Sequence, residues 1–151
     1  MITTVFKSGL PVDTAGDYLG SSPAPAPQTF AVSMNFYGSS TTTGPFETLV
    51  TRQIWVADAP TQVVAVTERH SIVGSVTGML VKAINGSTLT SGLNVLASTI
   101  DHTAAVDTAR YGTLINSTTV TQLAQGDALG WRFSAANPIC AGSITVTLAR
   151  I

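Results

Sequence analysis

Apolar and polar residues alternate one by one along most of this chain, from Phe30 to the C-terminus. In an extended backbone that period puts the two sets on opposite faces of a sheet. Phe30, Val32, Met34 and Phe36 share one face, with Ala31, Ser33, Asn35 and Tyr37 opposite, as in a half-buried strand. Leu129, Trp131 and Phe133 repeat the pattern with Arg132 turned away, and Ile144, Val146 and Leu148 alternate with Thr145, Thr147 and Ala149. Between these lie a β-branched run from Thr48 to Ala57, a strand from Gln62 to His70 that can extend over Ile72 to Val76, and Met79 to Ile84, apolar except for Lys82.

Breakers punctuate the strands. Asp58-Ala59-Pro60 ends one run, because proline cannot continue a ladder. Asn85-Gly86 predicts a type I′ hairpin turn, in which both central residues take positive φ. Gly38 to Pro45 reads as a flexible loop, and Gln125-Gly126-Asp127 and Asn137-Pro138 as turns. Leu114 to Leu123 is strand-like, whereas Leu93 to Ile100 fits a strand or one or two helical turns equally well. Short strands at fairly even spacing, with no amphipathic helices between them, predict an all-β sandwich or barrel and exclude a parallel α/β sheet.

Residues 1–28 stand apart as an N-terminal arm, and residues 29–151 form the β domain. The arm ends in Pro23, Pro25 and Pro27, whose alternation favours an extended, polyproline-like backbone. Ile2, Val5, Phe6, Leu10, Val12, Tyr18 and Leu19 are apolar anchors that a purely solvated tail does not need. The expectation is an arm that lies on a partner, with Phe6, Leu10, Tyr18, Leu19, Pro23, Pro25 and Pro27 as contact candidates.

Composition points the same way. Charged residues make up 10% of the 151 and hydrophobic ones 44%, against about 25% charged in an ordinary soluble domain. A surface so poor in charge suits contact with neighbours. The net charge is -1, and the Lys and Arg residues are scattered singly, which argues against nucleic acid as a partner. No signal peptide and no apolar run of membrane-spanning length is evident, so no membrane partner is expected, and synthesis in a reducing compartment is. Cys140 is the single cysteine, set among apolar residues with no lysine or histidine beside it, and reads as a small buried hydrophobe.

No catalytic constellation is apparent, and the chain is not expected to be an enzyme or to need a cofactor. Glu68 and His70, two apart on one strand, share a face and with His102 could offer metal ligands or an acid and a base. Metal-dependent cupin barrels require more histidines than the two present here. A solvated strand face is the simpler reading, and no metal site is expected. Neither histidine is framed by a nucleophile motif. Asp58 and Asp127 lie in turns, where a carboxylate caps backbone amides. Trp131 reads as core. Trp55, opposite in phase to Ile54 and Val56, is the better candidate for a surface, either a sugar platform or an interface.

From about Ile54 onward the chain resembles a recurrent β-sandwich module of tailed-bacteriophage virions. "IWVADAPTQVVAVTERHSIVGS" is similar to its opening strand, Pro-containing turn and second strand. "GMLVKAINGSTLTSGLNVLASTID" resembles its central hairpin and apolar continuation, and "TLINSTTVTQLAQGDALGWRFSA" carries a Leu-x-x-Gly-Asp-x-Leu turn and strand. "AGSITVTLARI" is similar to a closing strand. The resemblance implies a jelly-roll-like antiparallel β-sandwich that cements or decorates the head, a homotrimer bound between capsomers of the major capsid protein. Its place would be the capsid surface of the virion, after synthesis in the host cytoplasm. Two other readings stay open: a receptor- or glycan-binding domain of a tail fibre or spike, and a metal-dependent barrel enzyme using Glu68, His70 and His102.

Overall fold

A computed structural model describes residues 27–37, 51–135 and 140–151. The expected arm, apart from Pro27 and Gln28, lies outside the described residues, as do the Gly38 to Pro45 loop and the Asn137-Pro138 turn. The strands are β1 (Thr29–Tyr37), β2 (Thr51–Val56), β3 (Thr61–Ile72), β4 (Thr77–Ala83), β5 (Leu93–Asn94), β6 (Ile100–Asp101), β7 (Arg110–Tyr111), β8 (Gln122–Leu123), β9 (Ala128–Phe133) and β10 (Ala141–Arg150). A single helical turn, α1 (Thr118–Thr121), precedes β8.

The strands form two antiparallel sheets packed face to face. One runs β1-β10-β3-β7 with β8 also on β3, the other β2-β9-β4-β5 with β6 also on β4. The all-β sandwich is thus the observed fold. Strands β1 to β4 alternate between the sheets, and the last strand lies between the first and the third.

Alternation fixes which side chains meet in the middle. Met34 and Phe36 of β1, Val63 and Val66 of β3, and Ile144, Val146 and Leu148 of β10 come from one sheet. Leu80 of β4 and Leu129, Trp131 and Phe133 of β9 come from the other, and all are buried. Trp131 sits opposite Leu80 and beneath Gly78, where a Cβ would lie 2.3 Å from the indole. Glycine is required there because the ring occupies the volume of a side chain.

Four local expectations are corrected. The turn at Asn85-Gly86 is not type I′: only Gly86 has positive φ, and Ser87 N–H donates to the Ile84 carbonyl. The chain rejoins β4 only at Leu93, after a 3-10 turn over Leu89–Ser91. Asp127 accounts for this, since its Oδ1 accepts the Asn85 N–H at 3.0 Å and draws the turn toward β9. Leu93 to Ile100 is an irregular edge, joined to β4 at both ends, with Val95 and Leu96 buried between. Leu114 to Leu123 is mostly not a strand, because Thr118–Thr121 winds into α1 and only Gln122–Leu123 pairs with β3.

The fourth concerns Trp55. A register shift between Gln53 and Trp55 inserts an extra residue into β2, and such a bulge reverses the phase of the residues beyond it. Trp55 therefore pairs with Leu129 and turns inward, half-buried, with its ring 5.7 Å from Phe30 in a T-shaped contact. It belongs to the margin of the core rather than to a free surface.

Candidate functional site

Two features stand out, one inside the sandwich and one on its outer face. Inside, β3 resumes its alternation at Val66 after the bulge at Val64, and this phase carries Glu68 and His70 inward with Val66. His102, directly after β6, enters the same space, and all three side chains are fully buried. The expected solvated strand face is thereby corrected. Period two predicted that Glu68 and His70 share a face, but not that the face is the core.

Phe36, Phe133 and Trp131 surround His102 with ring centroids at 5.3, 5.9 and 6.0 Å, and His70 lies at 5.6 Å. Glu68 Oε1 is 3.0 Å from His70 Nδ1 and 3.2 Å from His102 Nδ1. His70 Nε2 is 2.9 Å from the Ala104 carbonyl, which can only accept, so Nε2 carries the proton and donates. His102 differs: the Glu68 contact lacks hydrogen-bond alignment, and neither of its ring nitrogens completes a hydrogen bond. Burial opposes the charge on Glu68, but His102 and then His70 beside it outweigh burial and hold the carboxyl below its usual range.

Arg110 closes the cluster. It faces Glu68 across the β3–β7 ladder, with Nη1 3.5 Å from Glu68 Oε2 and 3.0 Å from His70 Nδ1. The same guanidinium donates to the carbonyls of Thr108 and Ala105, which ties residues 104–108 over the cluster. Asp107 takes positive φ in this loop, and its N–H donates to the His70 carbonyl. A shallow polar depression lined by Asn35, Arg69, His70, Asp107 and Gly142 opens beside it. Cys140 is buried as expected, and burial, with the Glu68 charge, pushes its thiol up to about 12.

A second buried ion pair went unsuspected in the sequence. Lys82 interrupts an apolar run, yet its register opposite Leu129 points it inward, where Nζ lies 3.2 Å from Asp127 Oδ2. Asp127 caps the Ala124 and Asn85 amides, as its turn context predicted, while Lys82 also donates to the carbonyls of Thr119 and Gln122. The one legible signal was the isolated lysine in the apolar run. Asp58 forms a bidentate pair with Arg150 at 2.7 and 2.8 Å and also engages the backbone amides of its own turn.

On the outer face of the β1-β10-β3 sheet, cross-strand register assembles uncharged rows. Ala31, Thr147 and Ala65 form one, and Ser33, Thr145, Thr67 and Tyr111 the next, where Ser33 and Thr145 share a 2.9 Å hydrogen bond. Tyr111 is 77% exposed and Val64, pushed out by a bulge opposite β10, 48%. Among the arm candidates, Pro27 is exposed just ahead of β1, while Phe6, Leu10, Tyr18, Leu19, Pro23 and Pro25 lie outside the described residues.

No family model matches the sequence, and no curated protein matches it. A solved structure, the "Cyanophage Pam1 capsid asymmetric unit", is similar at 13% identity with a TM-score of 0.48, covering 93% of this chain and 98% of that one. Among the described residues, no helix is long and apolar enough to cross a membrane.

Proposed function

We propose that this chain is a structural virion protein of a tailed bacteriophage, a homotrimer that cements or decorates the head by binding between capsomers of the major capsid protein. The observation that carries this reading is the outer face of the β1-β10-β3 sheet. Its rows from Ala31 to Ala65 and from Ser33 to Tyr111 present small uncharged side chains beside one exposed tyrosine. These two rows can be covered by protein without desolvating a charge, Arg69 standing in the next row along, and an exposed Tyr gives them an amphipathic anchor. The strand order supports reading the sandwich as a jelly roll, because two Greek keys alternate strands between sheets in this way. The sequence resemblance, which runs from Ile54 to the C-terminus, supports the phage assignment.

The test is binding of the purified chain to expanded heads, read by co-sedimentation. Tyr111→Glu and Thr145→Lys place charge on the outer face and are expected to lower occupancy at least tenfold, with thermal stability unchanged. Deleting residues 1–28 is expected to weaken binding as well. Full occupancy in both charge variants would remove the sheet face from the contact. Saturable binding to host-envelope glycans without binding to heads would replace this reading with that of a receptor-binding domain.

A further inference from the structure

We propose that Glu68, His70 and His102 form a binding site for one divalent transition-metal ion of the zinc class. The inference is independent of head binding and is tested on the isolated chain. Two imidazoles and a carboxylate are a donor set suited to zinc. One donor atom from each residue falls in a common space, all within 4.8 Å of one another. The separations from Glu68 Oε1, 3.0 Å to His70 Nδ1 and 3.2 Å to His102 Nδ1, are close to the roughly 3.3 Å edge of a tetrahedron drawn around an ion with bonds of about 2.0–2.1 Å.

The hydrogen bonding of the trio leaves donor atoms free for a cation. His70 commits its proton through Nε2 to the Ala104 carbonyl, the outer-sphere bond that fixes a ligating histidine and frees its other nitrogen. Nδ1 then faces a carboxylate oxygen 3.0 Å away, a contact that a proton or a metal ion between the two atoms makes favourable. Neither nitrogen of His102 completes a hydrogen bond, although the side chain is fully buried, and buried polar atoms are seldom left so. One ion bonded to both Nδ1 atoms and to Oε1 would give His70 Nδ1 and His102 Nδ1 a common partner beside the Glu68 carboxylate.

Arg110 is the competitor for this position, since Nη1 reaches both His70 Nδ1 and Glu68 Oε2. It also holds the Ala105 and Thr108 carbonyls, so it can withdraw to these when an ion enters. The depression lined by Arg69, His70, Asp107 and Gly142 lies on the solvent side of His70. Once bound, the ion would tether β3 to residues 102–110, coupling the buried end of the sandwich to that loop.

The experiment titrates cobalt(II) and zinc(II) into the untagged, chelator-treated full chain at neutral pH. It reads visible cobalt absorption, metal content and melting temperature. The expected result is about one equivalent bound, tetrahedral-type cobalt bands and a metal-dependent rise in melting temperature. Arg110→Ala, which removes a competing charge and no ligand, is expected to bind at least tenfold more tightly, as the loss of a unit charge this close implies. His102→Phe keeps a ring among Phe36, Phe133 and Trp131 and is expected to fold and lose binding. The site is overturned if wild type and Arg110→Ala, both folded, bind neither metal at millimolar concentration. Undiminished binding in folded His102→Phe would overturn it equally.

Discussion

Removing the ammonium of Lys82 leaves the Asp127 carboxylate in the interior without its cation, which makes Lys82→Met the most informative substitution for the fold. The two side chains are 8% and 4% exposed, with Nζ and Oδ2 3.2 Å apart. The thioether fills the space of the alkyl stem, so the loss is electrostatic rather than steric. Breaking a buried pair in this way costs about 3–5 kcal/mol, a large share of the roughly 5–15 kcal/mol that stabilises a typical domain. Asp127→Asn is expected to cost a similar amount. Its amide can accept from only one of the Asn85 and Ala124 N–H groups that the carboxylate serves with separate oxygens, and it strands the ammonium. The double variant removes both charges and is expected to recover about 1–3 kcal/mol relative to the sum of the single costs. Urea unfolding at neutral pH, followed by tryptophan fluorescence, measures all four corners of the cycle. A Lys82→Met cost below about 1 kcal/mol, or costs that add to within about 0.5 kcal/mol, would refute the claim that this pair clasps β4, α1 and the β8–β9 turn.

Three further outcomes are expected. Asp127 is held below its ordinary pKa: burial opposes its charge, but the Ala124 and Asn85 amides and then Lys82 prevail. The stability it contributes is therefore present above the unfolded pKa and lost as pH falls through the folded value; acid titration of wild type should show destabilisation starting near pH 4 and lessened in Asp127→Asn. The Cys140 thiol, buried and pushed up to about 12, should resist maleimide at neutral pH in the native protein and react fully in urea, and rapid native labelling would place it at the surface. Gly78→Ala should cost about 3 kcal/mol by driving a methyl into Trp131; Trp131→Phe in the same chain should recover part of that, as seen in thermal melts, because the smaller ring vacates the contested volume.

Alternation along β1, β9 and β10 determined by itself that the fold would be all-β and which residues would form its core, since an extended backbone turns successive side chains to opposite faces. Met34, Phe36, Leu129, Trp131, Phe133, Ile144, Val146 and Leu148 were all legible in this way, and so was the burial of Cys140. The same rule placed Glu68 beside His70 on one face. It could not say which medium that face would meet, because both sheet faces obey the same period. Only the packing of the second sheet against β3, with His102 brought in after β6 from 32 residues along the chain, made that face an interior and gathered the trio. Trp55 changed sides because a bulge, which leaves no mark in a pattern of apolar and polar letters, shifted its phase by one. The Asn85-Gly86 turn departed from its local preference because Asp127, far along the chain, binds the Asn85 amide. Local sequence determined strands and faces; long-range register and the partners of buried charges were decided by the tertiary structure, where desolvation makes one arrangement much more stable than its alternatives.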